Sequence, residues 1–159
     1  MVPHFSINLV AFDLPGCGNS DSETLTYGVY EVFDIRDILQ EIRRHIKVGR
    51  IVIWGRSMGS LCAIMFADMY AYEVSGLILD SPFRFLSDVV ERIADRKVNL
   101  PGFLLNPILY MVKQRATQEV GFDLFSIDYL SVFKKLNTHL PVLFVFSNFD
   151  AIVPAKEVL

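Results

Sequence analysis

Five consecutive residues, Gly55-Arg56-Ser57-Met58-Gly59, fit the pattern G-x-S-x-G. A serine so flanked acts as a nucleophile when a strand reverses into a helix within a few residues, leaving its hydroxyl exposed on a strained backbone. Glycine at both ends gives such a reversal room, and Gly55 and Gly59 are expected to supply it. Taken alone the pattern is weak, because glycine and serine are common and a structural turn would look the same. Its surroundings decide: residues 50–54 read as a buried strand directly before it, and residues 57–70, apolar with Ala and Met, read as a helix directly after.

Other residues of reactive type are less constrained. Asp80, in Asp80-Ser81-Pro82 at a strand's carboxyl end, reads as a turn or helix cap in preference to a catalytic acid. Asp13 reads as a cap on the loop Pro15-Gly16-Cys17-Gly18-Asn19-Ser20. Cys17 in that loop is a candidate reactive thiol, whereas Cys62, on the helix after Ser57, reads as packed core. Arg56 either binds an anionic group beside Ser57 or pairs with a carboxylate. Metal-ligand spacing and a G-x-x-x-x-G-K phosphate loop are both absent. The Gly16-Cys17-Gly18 loop continues as Asn-Ser-Asp-Ser, unlike a dinucleotide-binding turn. No cofactor and no metal are expected.

The elements that must position these residues alternate. Strands are predicted near 7–13, 50–54, 74–79 and 141–147, and residues 30–46 place Val32, Ile35, Ile38, Leu39, Ile42 and Ile46 at helical spacing, with Arg43, Arg44 and His45 in the last turn. Strands alternating with helices argue for a mostly parallel α/β sheet in a single domain, 1–159. Between the third and fourth strands lies a long stretch with helical patterns near 84–97, 102–116 and 126–136. Segment 84–136 is read as a crossover helix plus a helical cap, with extra packing helices as the plainer alternative. Its Phe85, Leu86, Phe103, Leu104, Leu109, Tyr110 and Met111 would suit the lid of an acyl-binding pocket, and would equally suit core.

Three blocks resemble the α/β-hydrolase superfamily, in particular the serine aminopeptidase-like (S33) and bud-emergence-like hydrolases. They are Val10-Ala11-Phe12-Asp13-Leu14-Pro15-Gly16-Cys17-Gly18-Asn19-Ser20, Ile53-Trp54-Gly55-Arg56-Ser57-Met58-Gly59-Ser60 and Leu77-Ile78-Leu79-Asp80-Ser81-Pro82-Phe83. A fourth is Asn148-Phe149-Asp150-Ala151-Ile152-Val153-Pro154, where Asp150 follows a strand as the family's triad acid does. The resemblance implies hydrolysis of an ester, thioester or amide through an acyl-enzyme at Ser57, with Asp150 orienting a histidine and the Met58 N–H serving as an oxyanion donor. The implied partner is a small-molecule, acyl or peptide substrate.

By the same resemblance the chain begins at the family's fourth strand and stops before its base. The second oxyanion donor would be absent, and a gap would be left beside Val10. In an open α/β sheet chemistry gathers at the carboxyl ends of the strands. His4, His45 and His139 all fall at the opposite edge, roughly 17–20 Å away for strands of five or six residues, whereas proton transfer needs contact within about 3.2 Å. The chain as given is therefore expected to be inactive and poorly soluble. The alternative from another class is a non-catalytic relic of the fold serving as a binding or interaction module, with Ser57 only a turn residue.

Composition narrows the setting. At 159 residues, 52% of them hydrophobic, with a mean hydropathy of +0.38, the chain needs strands buried on both faces or leaves apolar surface exposed. A net charge of −3 without a basic stripe argues against nucleic acid. Two cysteines and no basic-then-apolar leader point to the cytoplasm. The apolar stretch 103–112, interrupted by Asn106-Pro107, falls short of the ~20 residues that span a bilayer. No transmembrane segment is expected, although peripheral membrane contact remains open.

Overall fold

The structure, a computed structural model, describes residues 7–21, 24–97 and 101–155. Its sheet is built from three short apolar runs, β1 (Val52–Arg56), β2 (Gly76–Asp80) and β3 (Val142–Val145), in the order β1-β2-β3 and parallel throughout. The register pairs Arg56 with Asp80 and Asp80 with Val145. The three strands thus end in one row, and whatever follows each of them emerges on the same edge.

Helix α1 (Glu31–His45) precedes β1, and α2 (Met58–Met69) follows it. The start of α1 is fixed by its own first residue. The buried Glu31 carboxylate accepts from the Thr26 and Gly28 N–H groups and from the Thr26 hydroxyl, while the Thr26 Oγ accepts the Tyr30 N–H at 2.8 Å, a reciprocal arrangement akin to a capping box. α2 is apolar around most of its circumference, with Leu61, Cys62, Ala63, Ile64, Phe66 and Ala67 all buried. Such a helix must be packed on several sides, and it lies against β1, β2, α1 and the short α5 (Tyr129–Phe133). With Val32, Ile35, Leu77 and Leu79 it forms the main core, where each fully buried aliphatic or aromatic side chain contributes roughly 1.5–3 kcal/mol.

Between β2 and β3 the chain forms α3 (Leu86–Lys97), α4 (Gly102–Val120), a 3₁₀ turn at Leu124–Ser126, and α5. α4 runs past the predicted end at 116 despite Pro107, and stops at Gly121, whose φ of 87° is the left-handed cap that glycine adopts freely. Asp128 caps α5 by accepting from the Ser131 N–H, and receives both arms of Arg84 at 3.0 and 2.8 Å. The Tyr129 hydroxyl donates to the Tyr27 carbonyl at 2.8 Å, tying α5 to the loop that enters α1.

The strand expected near 7–13 does not form: residues 7–14 have no regular structure, and residues 7–13 are exposed. Alternating apolar residues are a local property, whereas a strand exists only where a neighbour accepts its N–H and C=O groups, and residues 7–12 find none among the described residues. The other strands form, each offset or shortened by about two residues. The helical pattern at 126–136 contracts to one turn and a half, because Ile127 and Asp128 take extended backbone.

Candidate functional site

β1 delivers Ser57 to the carboxyl edge of the sheet. Its φ and ψ are 50° and −116°, a region L residues occupy only under constraint. The constraint is visible on both sides. The Ser57 N–H continues the ladder by donating to the Asp80 carbonyl at 2.7 Å, while the Ser57 carbonyl accepts the Ser60 N–H at 2.9 Å as α2 begins. Ser57 is exposed, and its hydroxyl has no partner among the described residues.

The two glycines of the motif differ. A Cβ on Gly55 would lie 2.0 Å from the Gly59 carbonyl oxygen, whereas one on Gly59 would meet nothing within 4 Å. The expectation that both supply room is corrected accordingly: Gly59 is the backbone that approaches, and Gly55 is the residue that must lack a side chain. Met58 opens α2, and no described acceptor takes its N–H. The positive end of the helix therefore lies beside the Ser57 hydroxyl.

Asp150 follows β3 and is held by the chain just beyond it. Its Oδ1 accepts from the Ile152 N–H at 2.8 Å and the Val153 N–H at 2.9 Å. The Val153 N–H foremost, with the Ile152 N–H, Ser81 and the nearby Arg56 charge, holds its carboxyl below the usual carboxylate range, against desolvation, which raises it. Ser81 follows β2 and Arg56 ends β1, so the contacts of Asp150 reach across the same edge that carries Ser57.

Asp80 ends β2 where the chain bends at Ser81, as a turn residue would. Its carboxylate caps no helix; it accepts from the Ser81 hydroxyl at 3.2 Å and faces Arg56 at 3.7 Å. Of the two readings of Arg56, the structure shows the pairing with a carboxylate. Asp13 does organise its loop, accepting the Asn19 N–H at 3.1 Å. Cys62 is buried, and that burial pushes its thiol up to about 12. Cys17 is half-buried in the loop.

Of the histidines, His45 pairs with Glu41 at the end of α1 and His139 is exposed in the turn before β3, both on the amino side of the strands. His4 lies outside the described residues. Sequence reasoning missed Ser81, which repeats the positive φ of Ser57 and whose hydroxyl donates to Asp80. The signal would have been the register of β1 against β2, which places Ser57 and Ser81 side by side. A concavity lined by Tyr110, Met111, Gln114, Arg115, Gln118 and Glu119 belongs to α4 and includes neither Ser57 nor Asp150.

A family model described as the alpha/beta hydrolase fold matches residues 5–106, more than half of the chain. The chain belongs to this family. YqkD of Bacillus subtilis (strain 168), described as uncharacterized, is similar to it at 27% identity over 153 residues, 94% of this chain and 48% of that protein. The Pyrococcus furiosus esterase Pf2001 superposes with a TM-score of 0.68 at 25% identity, over 93% of this chain and 53% of that one. A thermophilic esterase from Thermogutta terrifontis shares the fold at 21% identity and a TM-score of 0.52, over 92% of this chain and 63% of that one. The chain spans about half the length of YqkD and of the Pyrococcus esterase. No helix among the described residues is long and apolar enough to cross a membrane.

Proposed function

We propose that this chain carries the nucleophile of a serine hydrolase that cleaves ester, thioester or amide bonds of an acyl or peptide substrate through an acyl-enzyme at Ser57. The observation that carries the reading is the backbone of Ser57, strained at φ 50° and ψ −116° between β1 and α2 with its hydroxyl exposed. The Ser57 Oγ would attack the carbonyl carbon as its proton passes to a base, and the Met58 N–H would donate to the resulting oxyanion. Asp150, already ionised and oriented by the Ile152 and Val153 amides, would hold the base in its productive tautomer. The likeness to an esterase at 25% identity supports the same reaction class. Residues 84–136 serve in this reading as a crossover and a helical cap.

Of the described histidines, neither His45 nor His139 is placed to act as the base, which supports the reading that the chain by itself does not turn over esters. The same observation favours a second reading, a binding module in which Ser57 is a turn residue. Fluorophosphonate labelling, with the modified residue located by mass spectrometry, separates them. A nucleophile without its base should label at Ser57 about 10²–10⁴-fold more slowly than an active hydrolase, faster when imidazole is added, and not at all in Ser57→Ala. Labelling at the rate of an active hydrolase without imidazole overturns the inactivity. Labelling no faster than that of an ordinary surface serine, even with imidazole, favours the binding module.

A further inference from the structure

Helix α4 divides into two halves of opposite character. Its last turns dock, with Ala116 and Val120 packed on the cluster that holds Leu61, Phe83 and Tyr129, and Lys113 5.4 Å from the centre of the Phe125 ring. Its first turns do not. Phe103, Leu104, Ile108, Tyr110, Met111 and Val112 are exposed, Phe103 by 75% and Met111 by 70%, and within residues 103–112 Leu105 alone is buried.

The charge around this half is as lopsided as its burial. Residues 98–112 carry no charge, and residues 96–118 hold Arg96, Lys97, Lys113 and Arg115 without one Asp or Glu, in a chain whose net charge is −3. Lys113 and Arg115 are paired with Asp123 at 3.6 Å and Glu119 at 2.9 Å. Arg96 and Lys97 are exposed and make no ion pair among the described residues. An exposed apolar segment that begins within six residues of sequence after cations without an ion-pair partner among the described residues fits a surface that is apolar within and anionic at its rim. Residues 103–112 extend about 15 Å at 1.5 Å per residue, half of the ~30 Å hydrocarbon core, so the segment can lie in a bilayer surface and cannot cross it.

We propose that the first turns of α4 are a docking surface for an anionic lipid bilayer, with Phe103, Tyr110 and Met111 entering the headgroup boundary and Arg96 and Lys97 supplying the electrostatic attraction. A protein partner would cover the same apolar side chains but leaves the exclusion of acids from residues 96–118 without a cause. The surface does not depend on any chemistry at Ser57.

The test is sedimentation of the 159-residue chain, freed of aggregate by gel filtration, with vesicles of phosphatidylcholine mixed with phosphatidylserine and with vesicles of phosphatidylcholine alone. Binding is expected to the mixed vesicles and to weaken with salt. Phe103→Ser combined with Met111→Ser should reduce it by about tenfold or more, and Arg96→Gln and Lys97→Gln by about fivefold each. Circular dichroism establishes that the variants keep their helices. Fluorescence gives a second readout that tolerates a poorly folding variant: Tyr110→Trp in a Trp54→Phe background should shift to the blue with mixed vesicles, whereas Trp54 of the unaltered chain, 65% exposed on the sheet, should not. No sedimentation with mixed vesicles, or equal binding to phosphatidylcholine alone, overturns the proposal. So does a blue shift of Trp54 with none at position 110, which would put the lipid on the sheet.

Discussion

Two serines follow neighbouring parallel strands in one backbone setting, yet their hydroxyls end in opposite states. Ser57 after β1 has φ 50° and Ser81 after β2 has φ 51°. Each N–H extends the ladder by one bond, Ser57 to the Asp80 carbonyl at 2.7 Å and Ser81 to the Val145 carbonyl at 2.8 Å. The Ser81 hydroxyl donates to the Asp80 carboxylate at 3.2 Å, and the residue is 8% exposed. The Ser57 hydroxyl is exposed and unpaired among the described residues. What comes next makes the difference. After Ser57 the helix starts at once, whereas after Ser81 the buried Pro82 and Phe83 draw the chain inward. The same bend leaves one hydroxyl exposed and turns the other toward a carboxylate.

The comparison breaks most sharply at Gly55. Gly55→Ala puts a Cβ 2.0 Å from the Gly59 carbonyl oxygen and should cost at least about 3 kcal/mol in urea unfolding. Gly59→Ala, whose Cβ meets nothing within 4 Å, should change stability by no more than about 1 kcal/mol, in the stabilising direction. Equal losses for the two would mean that the close approach at the bend has been placed on the wrong residue. Ser81→Ala comes next. It removes the hydroxyl bonded to Asp80, which also helps hold the Asp150 carboxyl low, and should cost about 1–2 kcal/mol, with the Asp150 carboxyl titrating higher by NMR. Ser57→Ala, which breaks no hydrogen bond of the side chain, should stay within about 0.5 kcal/mol.

A smaller effect tests the shared strain. Ser57→Gly should stabilise the chain by about 1 kcal/mol, because glycine takes positive φ without penalty. Ser81→Gly relieves the same strain but forfeits the hydrogen bond to Asp80, so its melting temperature should not rise above that of the unaltered protein. The smallest effect is read in acid. The carboxyls of Asp150 and Asp128 are held below the usual range, by the Val153 N–H first for one and by the Arg84 guanidinium first for the other. Folded-state values below the unfolded ones mean stability that is fully present above about pH 4 and lost as pH falls through the folded values. Melting temperature should therefore decline below about pH 4, and Asp150→Asn should remove part of that decline.

How much was legible in advance varies by the kind of information each feature needs. The strand, serine, helix sequence around Ser57 could be read because its determinants are contiguous: an apolar run, a bend that excludes a side chain, then another apolar run. Asp13 and its loop were legible for the same reason, since the carboxylate binds an amide six residues on. The pattern at 7–13 looked like the other strands and failed, because pairing depends on a neighbour elsewhere in the chain. The pairing of Arg56 with Asp80 was left open because each lies across the sheet from the other.

The residue order alone determined that a serine would sit on a strained turn between a strand and a helix, that the sheet would be parallel, and that Cys62 would be packed away. All of these follow from local sterics and hydrophobic spacing. Only the tertiary structure decided which hydroxyl stays free, which glycine is indispensable, and that Asp150 shares an edge with Arg56 and Ser81. Those depend on strand register and on which side chains come to face one another from distant parts of the chain, and register is set by how the whole sheet packs against α2.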